Sequence, residues 1–540
     1  MSAPVLRPYQ RAAVDAVLEA RKAGTRRMLV CLPTGAGKTV IFAHLARLAR
    51  RQVLVLAHRE ELLSQARDKI EKALDAGSVV AIEQGAKKAP ADAKILVCSI
   101  RSLHEERLRR VIAGRDLGLV IYDECHHAAA EDNLRVLRQL GAFKVDWTGT
   151  LLGFTATTAR GDGQGLDAVF ERIVYTRTLT EMIDDGYLVR LRGFRIATTA
   201  DLGRLTSTTG LDFREDELEE AVDIEERNAL VARSIQELGR DRRTIAFCVT
   251  VRHARNLCKA LNHLGVPAGL VHGAMPGEAR EKALADFRDG KLQVITNVGV
   301  LTEGFDDPGV SCVAMVRPTR SEGFYAQCVG RGTRLFPGKK DCLILDFVDL
   351  GNLELCTLPS LFGMPRDLDL LGEDAVEAKH TFHQLSFDYP GFEVEAGAIT
   401  LREIQDRAAH FDPLTLHVDA EVRAISHHAW ASLGKPGLLL HFERKAGALS
   451  EALVLLVAAR GKRWEVTMDG KPVARFSTVE EAVAAVDYEV EQLGPRARAS
   501  ALHDAAWRRA PSGDGGRTRE EAMRLAVWKR IVAARVRRPA

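Results

Sequence analysis

The stretch CLPTGAGKTV, residues 31–40, places two glycines, a lysine and two threonines between an apolar run and a helix-like segment. Glycines let a backbone approach a ligand closely, and the N–H groups of such a loop and of the following helix converge on an anion. Lys38 would reach the β- and γ-phosphates of a nucleotide, and the Thr39 hydroxyl would hold Mg²⁺. Leu32 stands where the general pattern has glycine, so an ordinary strand-to-helix turn is the alternative. The predicted phosphate loop consists of Pro33, Thr34, Gly35, Ala36, Gly37, Lys38 and Thr39.

In the stretch LGLVIYDECHHAAAED, which begins at residue 117, an apolar run is followed directly by two carboxylates, Asp123 and Glu124. Strands of a parallel sheet deliver side chains to the ligand crevice at their carboxyl ends. Asp123 is predicted to hold Mg²⁺ through water, and Glu124 to orient or deprotonate the water that attacks the γ-phosphate. His126 and His127 could instead bind a metal, but adjacent histidines rarely converge without further ligands. We therefore interpret His126 as a link between this site and its neighbours.

Short apolar runs that alternate with helical periodicity indicate the elements that position these residues. In the first half, strands are predicted at 27–32, 53–57, 94–98, 118–122 and 151–154. A second series begins at residue 244 and comprises TIAFCV, AGLVHG, LQVITN, SCVAMV and DCLILDF. Each series predicts a parallel α/β sheet, and so a chain with two α/β lobes.

The C-terminal third is predicted to be a separate α+β region. RWEVTMDGKPVARF predicts a β-hairpin that turns at Asp469 and Gly470, and Thr478 with Glu481 forms a capping box for a helix running towards Gln492. Residues 491–540 hold 12 Lys plus Arg against 5 Asp plus Glu, which is either a solvated face or a phosphate contact. The predicted bounds are 1–190 for the first lobe, 191–235 for a helical linker, 236–360 for the second lobe, 395–494 for the accessory domain and 495–540 for a basic helical tail.

Composition excludes some classes of protein. The 540 residues are 46% hydrophobic with a net charge of +3, which is typical of a globular protein and by itself does not indicate nucleic-acid binding. Apolar runs are much shorter than the roughly 20 residues that span a bilayer, so we expect no membrane contact and a cytoplasmic location. Nine cysteines with no CxxC spacing favour reduced thiols over a disulfide framework or a Cys-rich zinc site.

Five motifs in order carry a family resemblance: PTGAGKT, DECH, GFTAT at 153–157, TNVGVLTEGFD at 296–306 and QCVGRGTR at 327–334. The set resembles superfamily 2 helicases and translocases of the DEAD/DEAH type. It looks closest to the bacterial RadD group of DNA-repair ATPases, through LRPYQ, VLVLAH and QCVGRGTRLFPGKKDCLILDF, over about residues 1 to 350. The implied fold class is α/β, with two tandem RecA-like parallel-sheet lobes and a C-terminal α+β accessory region. Thr158 and Cys328 depart from the usual motifs, and RadD's C-terminal zinc-ligand cysteines have no counterpart here.

The resemblance also implies roles for residues outside the phosphate loop. Gln10 would read the adenine edge with Arg7 nearby, while Gly304 and Asp306 would contact the ribose side of the nucleotide. Arg331 and Arg334 would neutralise charge on the transferred phosphoryl group; the alternative is two surface arginines after a turn. The implied catalytic set is Lys38, Glu124, Gln327, Arg331 and Arg334, and the implied nucleic-acid contacts are Arg59, Ser99, Arg101, Thr155 and Thr296.

The function implied is that of an ATP-dependent helicase or translocase, with ATP and Mg²⁺ as cofactors, acting on single-stranded or branched DNA in repair or recombination. The same engine acting on RNA is an alternative, as is the motor subunit of a restriction or phage-defence complex. A nucleotide-dependent binding module without hydrolysis is disfavoured by the intact Lys38, Glu124, Arg331 and Arg334. Repair-protein partners are expected through the C-terminal region.

Overall fold

The computed structural model describes most of the chain up to residue 388 and part of the remainder. The described residues are 5–57, 67, 70–71, 80–83, 88–90, 92–156, 166–203, 205, 207–208, 212–302, 305–350, 355–388, 394, 399–409, 422, 425–426, 428, 430–432, 437–445, 448–457, 463–468 and 471–492. They belong to two compact units, Met1–Ala378 and Lys379–Ala540.

Seven parallel strands form the first sheet. In chain order they are β1 (Arg27–Cys31), β2 (Gln52–Ala57), β3 (Val80–Glu83), β4 (Ile95–Ser99), β5 (Leu117–Asp123), β6 (Thr150–Thr155) and β7 (Arg172–Thr176). Their order across the sheet is β3-β4-β2-β5-β6-β1-β7. The carboxyl ends of β5, β6 and β1 are therefore neighbours, and these ends lead into the carboxylate pair, the GFTAT motif and the phosphate loop.

Five α-helices accompany this sheet in the described residues. They are α1 (Pro8–Lys22), α2 (Lys38–Leu48), α3 (Glu105–Ile112), α4 (Glu131–Gln139) and α5 (Leu179–Asp184). The strands are largely apolar because helices cover the sheet. For example, Leu54, Leu56 and Tyr122 of the strands lie in one buried cluster with helix residues. Those helix residues include Leu108 of α3 and Val136 of α4.

The strands that follow in the described residues up to 350 are β8 (Arg190–Asp201), β9 (Ser207–Thr208), β10 (Asp212–Phe213), β11 (Thr244–Phe247), β12 (Ala268–His272), β13 (Val294–Val298), β14 (Cys312–Met315) and β15 (Asp341–Leu350). Six of them form the second parallel sheet, in the order β12-β13-β11-β14-β15-β8. The two short strands β9 and β10 pair antiparallel with each other. The helices that follow α5 in this unit are α6 (Glu215–Val222), α7 (Glu225–Gly239), α8 (Val251–His263), α9 (Gly277–Arg288), α10 (Glu322–Val329), α11 (Leu358–Leu361) and α12 (Ala375–Asp388), the last continuing past Ala378.

The predicted helical linker at 191–235 is wrong at its start. Residues 190–201 form β8, which pairs in parallel with β15 and so belongs to the second sheet. Buried and exposed residues alternate at both ends of β8, as expected for a strand at the edge of a sheet. Helices α6 and α7 then occupy the rest of the predicted linker, where helical structure was expected.

Within its described residues the second unit contains a five-stranded antiparallel sheet with a helix packed on it, which agrees with the predicted α+β region. After the short β16 (Leu368–Asp369) of the first unit, its elements are β17 (Ile399–Thr400), α13 (Leu401–Ala409), β18 (Ala431–Ser432), β19 (Gly437–Lys445), β20 (Ala448–Val457), β21 (Arg463–Met468), β22 (Lys471–Phe476) and α14 (Val479–Gln492). The sheet runs β18 to β22 in sequential order. Val454, Val466 and Val486 lie in its buried core with α14.

The predicted hairpin of this unit is confirmed, because β21 and β22 pair antiparallel. The predicted capping box is formed in half: the Glu481 N–H donates to Thr478 Oγ1 at 3.2 Å at the start of α14, but the Glu481 carboxylate accepts from the Ser477 N–H at 3.1 Å, one residue before the cap. The predicted turn at Asp469 and Gly470 and the tail at 495–540 lie outside the described residues. No helix within the described residues is long and apolar enough to cross a membrane.

Candidate active site

The phosphate loop connects β1 to α2 and depends on two glycines. Gly35 and Gly37 have φ values of +90° and +71°, a region that favours glycine. A Cβ at Gly35 would lie 2.7 Å from Thr333 Oγ1, and one at Gly37 would lie 2.9 Å from Gln10 Nε2. The backbone here is thus both left-handed and closely covered, so no larger residue fits without displacing its neighbours.

Lys38 and Glu124 form the buried centre of the site. Lys38 Nζ lies 3.0 Å from Glu124 Oε1, and His126 Nδ1 lies 3.6 Å from Glu124 Oε2. Burial by itself would raise the pKa of the Glu124 carboxyl, but Lys38, then His126 and Arg331, more than offset it and hold this pKa below its usual value. Glu124 is therefore ionised at neutral pH, as a proton acceptor must be.

The backbone at Glu124 is strained. Its φ of +50° is rare for a residue with a side chain and recurs at functional sites. Asp123 Oδ1 accepts the Glu124 N–H at 3.1 Å, which helps to fix this turn at the end of β5. The two carboxylates thus have different environments, one half-exposed and one buried beside a lysine.

The donor set suits Mg²⁺ and a phosphate group. Thr39 and Asp123 supply a hydroxyl and a carboxylate, which are the oxygen ligands that Mg²⁺ takes beside substrate phosphates. Thr34 Oγ1 is buried in the same loop without a hydrogen-bond partner, so the loop contains a polar atom that a bound ligand would satisfy. The residues present therefore fit both groups.

The segment at the start of α1 is attached to the phosphate loop. Tyr9 Oη donates to the Ala36 carbonyl at 2.6 Å, and the Arg7 N–H donates to Gln10 Oε1 at 3.0 Å. The ring of Tyr9 lies 4.6 Å from that of Tyr187, which the Arg7 guanidinium approaches at 5.9 Å. Sequence reasoning identified Arg7 and Gln10 but missed both tyrosines, although Tyr9 stands between them in the quoted LRPYQ stretch.

The arginines of the second lobe converge on one carbonyl. Arg331 Nη1 donates to the Phe305 carbonyl at 2.7 Å and Arg334 Nη1 reaches the same oxygen at 3.4 Å. Arg334 Nε also lies 3.2 Å from Asp306 Oδ1. Burial lowers the pKa of Arg334, with Asp306 opposing this effect. Gln327 is buried on α10, whereas Gly304 lies outside the described residues.

The two lobes meet where the QCVGRGTR motif contacts the phosphate loop. Thr333 Oγ1 lies 3.2 Å from the Thr34 carbonyl and 3.0 Å from the Gly330 carbonyl. A Cβ at Gly330 would lie 2.3 Å from Thr34 Cβ, so the contact requires glycine. The Val189 N–H, where the chain passes between lobes, donates to the Thr333 carbonyl at 2.8 Å. Sequence reasoning missed Thr333, although it lies within the motif.

Most of the described residues that were predicted to contact nucleic acid are buried. Ser99 and Thr155 lie at the carboxyl ends of β4 and β6 but are buried, and Arg101 is exposed. Thr296 is buried inside β13 and its hydroxyl lies 3.3 Å from the Gly269 carbonyl of the next strand. Ser99, Thr155 and Thr296 are thus similarly buried, and their contacts with nucleic acid stay predictions. Arg59 lies outside the described residues.

Comparisons with known proteins agree with this arrangement. Residues 3–160 match the family model of the type III restriction enzyme res subunit, and residues 226–335 match the helicase conserved C-terminal domain. A fragment of a candidate HsdR subunit of a type I restriction enzyme from Vibrio vulnificus YJ016 has a similar fold, with a TM-score of 0.50 at 24% identity over 64% of this chain and 65% of that one. The fold, the site and these matches define a superfamily 2 helicase, an enzyme that uses ATP and acts on nucleic acid.

Two curated relatives identify the family. The candidate mitochondrial ATP-dependent helicase irc3 of Schizosaccharomyces pombe is 33% identical over 82% of this chain and 73% of its own length. The candidate ATP-dependent helicase IRC3 of Saccharomyces cerevisiae is 32% identical over 69% of this chain. The chain belongs to this Irc3 family of ATP-dependent helicases, and it spans 56% of the length of the budding-yeast relative.

Proposed function

We propose that the chain hydrolyses ATP between its two lobes and uses the cycle to translocate along DNA or unwind it. The single observation that carries the proposal is the buried Lys38–Glu124 pair, with the arginine-bearing motif of the second lobe packed on the same phosphate loop. Nucleotide binding and release would then alter the contact between lobes, and a repeated change of this kind can move a nucleic-acid strand.

Glu124 would act as the general base. The phosphates of ATP would compete for Lys38, leaving the buried carboxylate to accept a proton from the attacking water. Thr39 and Asp123 would hold Mg²⁺, which when bound would neutralise phosphate charge. Gly35 and Gly37 would let backbone N–H groups approach the phosphates.

Arg331 and Arg334 would stabilise charge on the transferred phosphoryl group. Arg331 acts electrostatically on the buried Glu124 across the lobes, which supports a place near the reacting phosphate. Gln10 and Arg7 would bind the adenine end, because their segment is attached to the phosphate loop through Tyr9 and Ala36. Gln327, Gly304 and Asp306 would complete the second-lobe contacts with nucleotide.

DNA is the proposed substrate because the first lobe matches a restriction-enzyme family model, and restriction enzymes act on DNA. The test is ATPase activity measured side by side with single-stranded DNA, forked DNA, duplex DNA and RNA. Stimulation by single-stranded or forked DNA supports the proposal. Equal or greater stimulation by RNA would favour an RNA helicase, and stimulation by duplex DNA alone would favour a duplex translocase such as a restriction-type motor.

A role in DNA repair, a RadD-like affiliation and a cytoplasmic location are further parts of the proposal. The stretch QCVGRGTRLFPGKKDCLILDF supports the RadD-like affiliation, and nine unpaired cysteines suit a reducing compartment. Normal survival of a deletion strain after DNA damage would argue against repair, and cell fractionation would test the location. Repair-protein partners of residues 395–540 can be sought by crosslinking in cells.

A further inference from the structure

A tight turn follows the arginine-bearing motif. The Lys339 N–H donates to the Phe336 carbonyl at 3.0 Å, with Pro337 and Gly338 between them. Gly338 has a φ of +79°, and proline followed by a left-handed glycine is the pattern of a type II turn. The turn reverses the chain, and the side chain of Lys339 returns to the motif that the chain has just left.

The Lys339 ammonium binds three carbonyl groups. Its Nζ lies 2.6 Å from the Gly332 carbonyl, 3.0 Å from that of Arg334 and 3.2 Å from that of Pro308. An ammonium has three N–H donors, so each carbonyl can receive one of them. Two of these carbonyls belong to the loop that carries both arginines, and the third belongs to the 305–309 segment.

The 305–309 segment is itself anchored to the second lobe. Arg243 Nη1 lies 3.1 Å and 3.2 Å from the two carboxylate oxygens of Asp307, which also accepts the Gly309 N–H at 2.9 Å. The same segment presents the Phe305 carbonyl to Arg331 and Arg334. Two sets of contacts thus join the loop that carries the arginines to the 305–309 segment. The arginine side chains bind the Phe305 carbonyl, and Lys339 binds backbone carbonyls of both the loop and the segment.

We propose that Lys339 is a positioning residue for ATP hydrolysis: by joining the backbone at Gly332 and Arg334 to Pro308, it holds Arg331 and Arg334 at the reacting phosphate. The proposal rests on the proposed role of those two arginines. Lys339 need not touch ATP, because its contacts are with backbone carbonyls.

The charge of Lys339 provides a pH signature. Burial lowers its pKa to about 8, with Arg334 acting in the same direction and Cys342, Asp307 and Asp341 opposing it. Above that pH the neutral amine has two N–H donors for three carbonyls, so one backbone contact is lost. The kcat of the wild-type enzyme should therefore fall as pH rises through about 8.

The experiment compares Lys339→Met with Lys340→Met, the same change at the next, exposed residue. We expect Lys339→Met to lower the kcat for ATP hydrolysis about 10- to 100-fold through misplacement of the arginines. Its Kd for a fluorescent ATP analogue should stay within about twofold of the wild-type value, since affinity is expected to depend little on the arginines. Lys340→Met should match the wild type in both measurements.

Lys339→Arg and Arg331→Ala complete the design. Arginine stays charged at alkaline pH, so Lys339→Arg should retain more kcat than Lys339→Met and lose the decline above pH 8. An unchanged kcat in Lys339→Met, or an alkaline decline that persists in Lys339→Arg, would overturn the proposal. If Lys339→Met fails to fold, the dependence of kcat on pH above 8 in Lys339→Arg still tests the proposal. An unchanged kcat in Arg331→Ala would instead overturn the proposed function of the arginines.

Discussion

Lys38 and Glu124 pair with each other in the structure, yet their proposed tasks differ. Lys38 would bind phosphate in both the ground state and the transition state, whereas Glu124 would act only on the attacking water. A change at one residue should therefore appear in affinity, and a change at the other in turnover.

Glu124→Gln should keep ATP bound and lower kcat about 10²- to 10⁴-fold, because the amide cannot accept the proton of the attacking water. Lys38→Ala should weaken ATP binding about 10- to 100-fold, as expected when a charge-assisted hydrogen bond of about 1.5 to 3 kcal/mol is lost. Steady-state turnover and the Kd of a fluorescent ATP analogue separate the two effects. Wild-type turnover in Glu124→Gln would contradict its assignment as the base.

Arg331→Ala and Arg334→Ala should each leave the Kd for ATP nearly unchanged and lower kcat, by up to about 10³-fold if they act as arginine fingers. The reason is that they would act mainly on charge that develops in the transition state. Arg366→Ala, a half-exposed arginine that lies 3.9 Å from Glu322, is a control. A loss of affinity at unchanged kcat would show that the two arginines contact ground-state ATP instead.

The sequence predicted those site residues that belong to distinctive motifs. The structure brings two of them, Lys38 and Glu124, together as expected. The sequence did not predict Thr333, Tyr9 or Lys339, because their contacts join segments far apart in the chain or depend on a tight turn. Thr296 is the converse case: its place in a motif gave no sign that its hydroxyl lies 3.3 Å from the Gly269 carbonyl of the neighbouring strand.

In the two parallel sheets, the strands that the sequence did not predict lie at sheet edges; in the antiparallel sheet it also missed β19 and β20, which are interior strands. β3 and β7 are the edges of the first sheet and β8 is an edge of the second. An edge strand has one neighbour and less cover, so its residues include polar ones and form no continuous apolar run. Central strands such as β1 and β5, which have helices on both faces, were predicted within a residue or two at each end.

The buried carboxyl of Asp346 on β15 connects two helices. Tyr325 Oη of α10 lies 2.7 Å from its Oδ1, and the Leu358 N–H at the start of α11 donates to its Oδ2 at 2.7 Å. Burial raises the pKa of Asp346 to about 7, whereas an exposed aspartate titrates near 4. Between these values the folded protein holds a proton that the unfolded chain releases.

Stability should therefore fall as pH rises from about 4 to 7, by up to about 1.4 kcal/mol per pH unit from this residue. Asp346→Asn removes the titration; its amide oxygen can accept from the Leu358 N–H, and its NH₂ group can donate to the Tyr325 hydroxyl oxygen, whereas Tyr325 is the donor to Asp346 in the wild type. Thermal unfolding at pH 5, 6 and 7 should show that the Tm of the variant increases relative to the Tm of the wild type as pH rises. Asp241→Asn, at an exposed site, should show no such gain. Parallel curves for Asp346→Asn and the wild type would contradict the shifted pKa.

Charge is unevenly distributed over the whole chain. The net charge is +3, but residues 491–540 hold 12 Lys plus Arg against 5 Asp plus Glu, so the preceding residues are net negative. A motor of this composition needs local basic surfaces to hold a polyanion. The C-terminal tail is one candidate, and sequence alone left its role open between a solvated face and a phosphate contact.

We predict that Arg→Gln changes at Arg530, Arg535, Arg537 and Arg538 weaken DNA binding and flatten its dependence on salt. Each phosphate contact displaces condensed cations, so each lost contact makes the negative slope of log K against log salt less steep by about 0.7 to 0.9. ATPase activity without DNA should stay at the wild-type level, because the proposed catalytic residues all precede residue 335. The DNA concentration needed for half-maximal stimulation should rise.

A matched control removes four charges that carboxylates already neutralise. Arg138, Arg214, Lys282 and Lys291 are exposed and lie within 3.1 Å of Glu131, Asp216 or Asp286. Glutamine at these four positions changes the net charge by the same amount as the tail variant but should leave the salt slope unchanged. Equal slopes in the tail variant and the wild type would make the tail a structural or partner-binding element. Equal losses in the tail and control variants would mean that DNA responds to overall charge, with no specific contact by the tail.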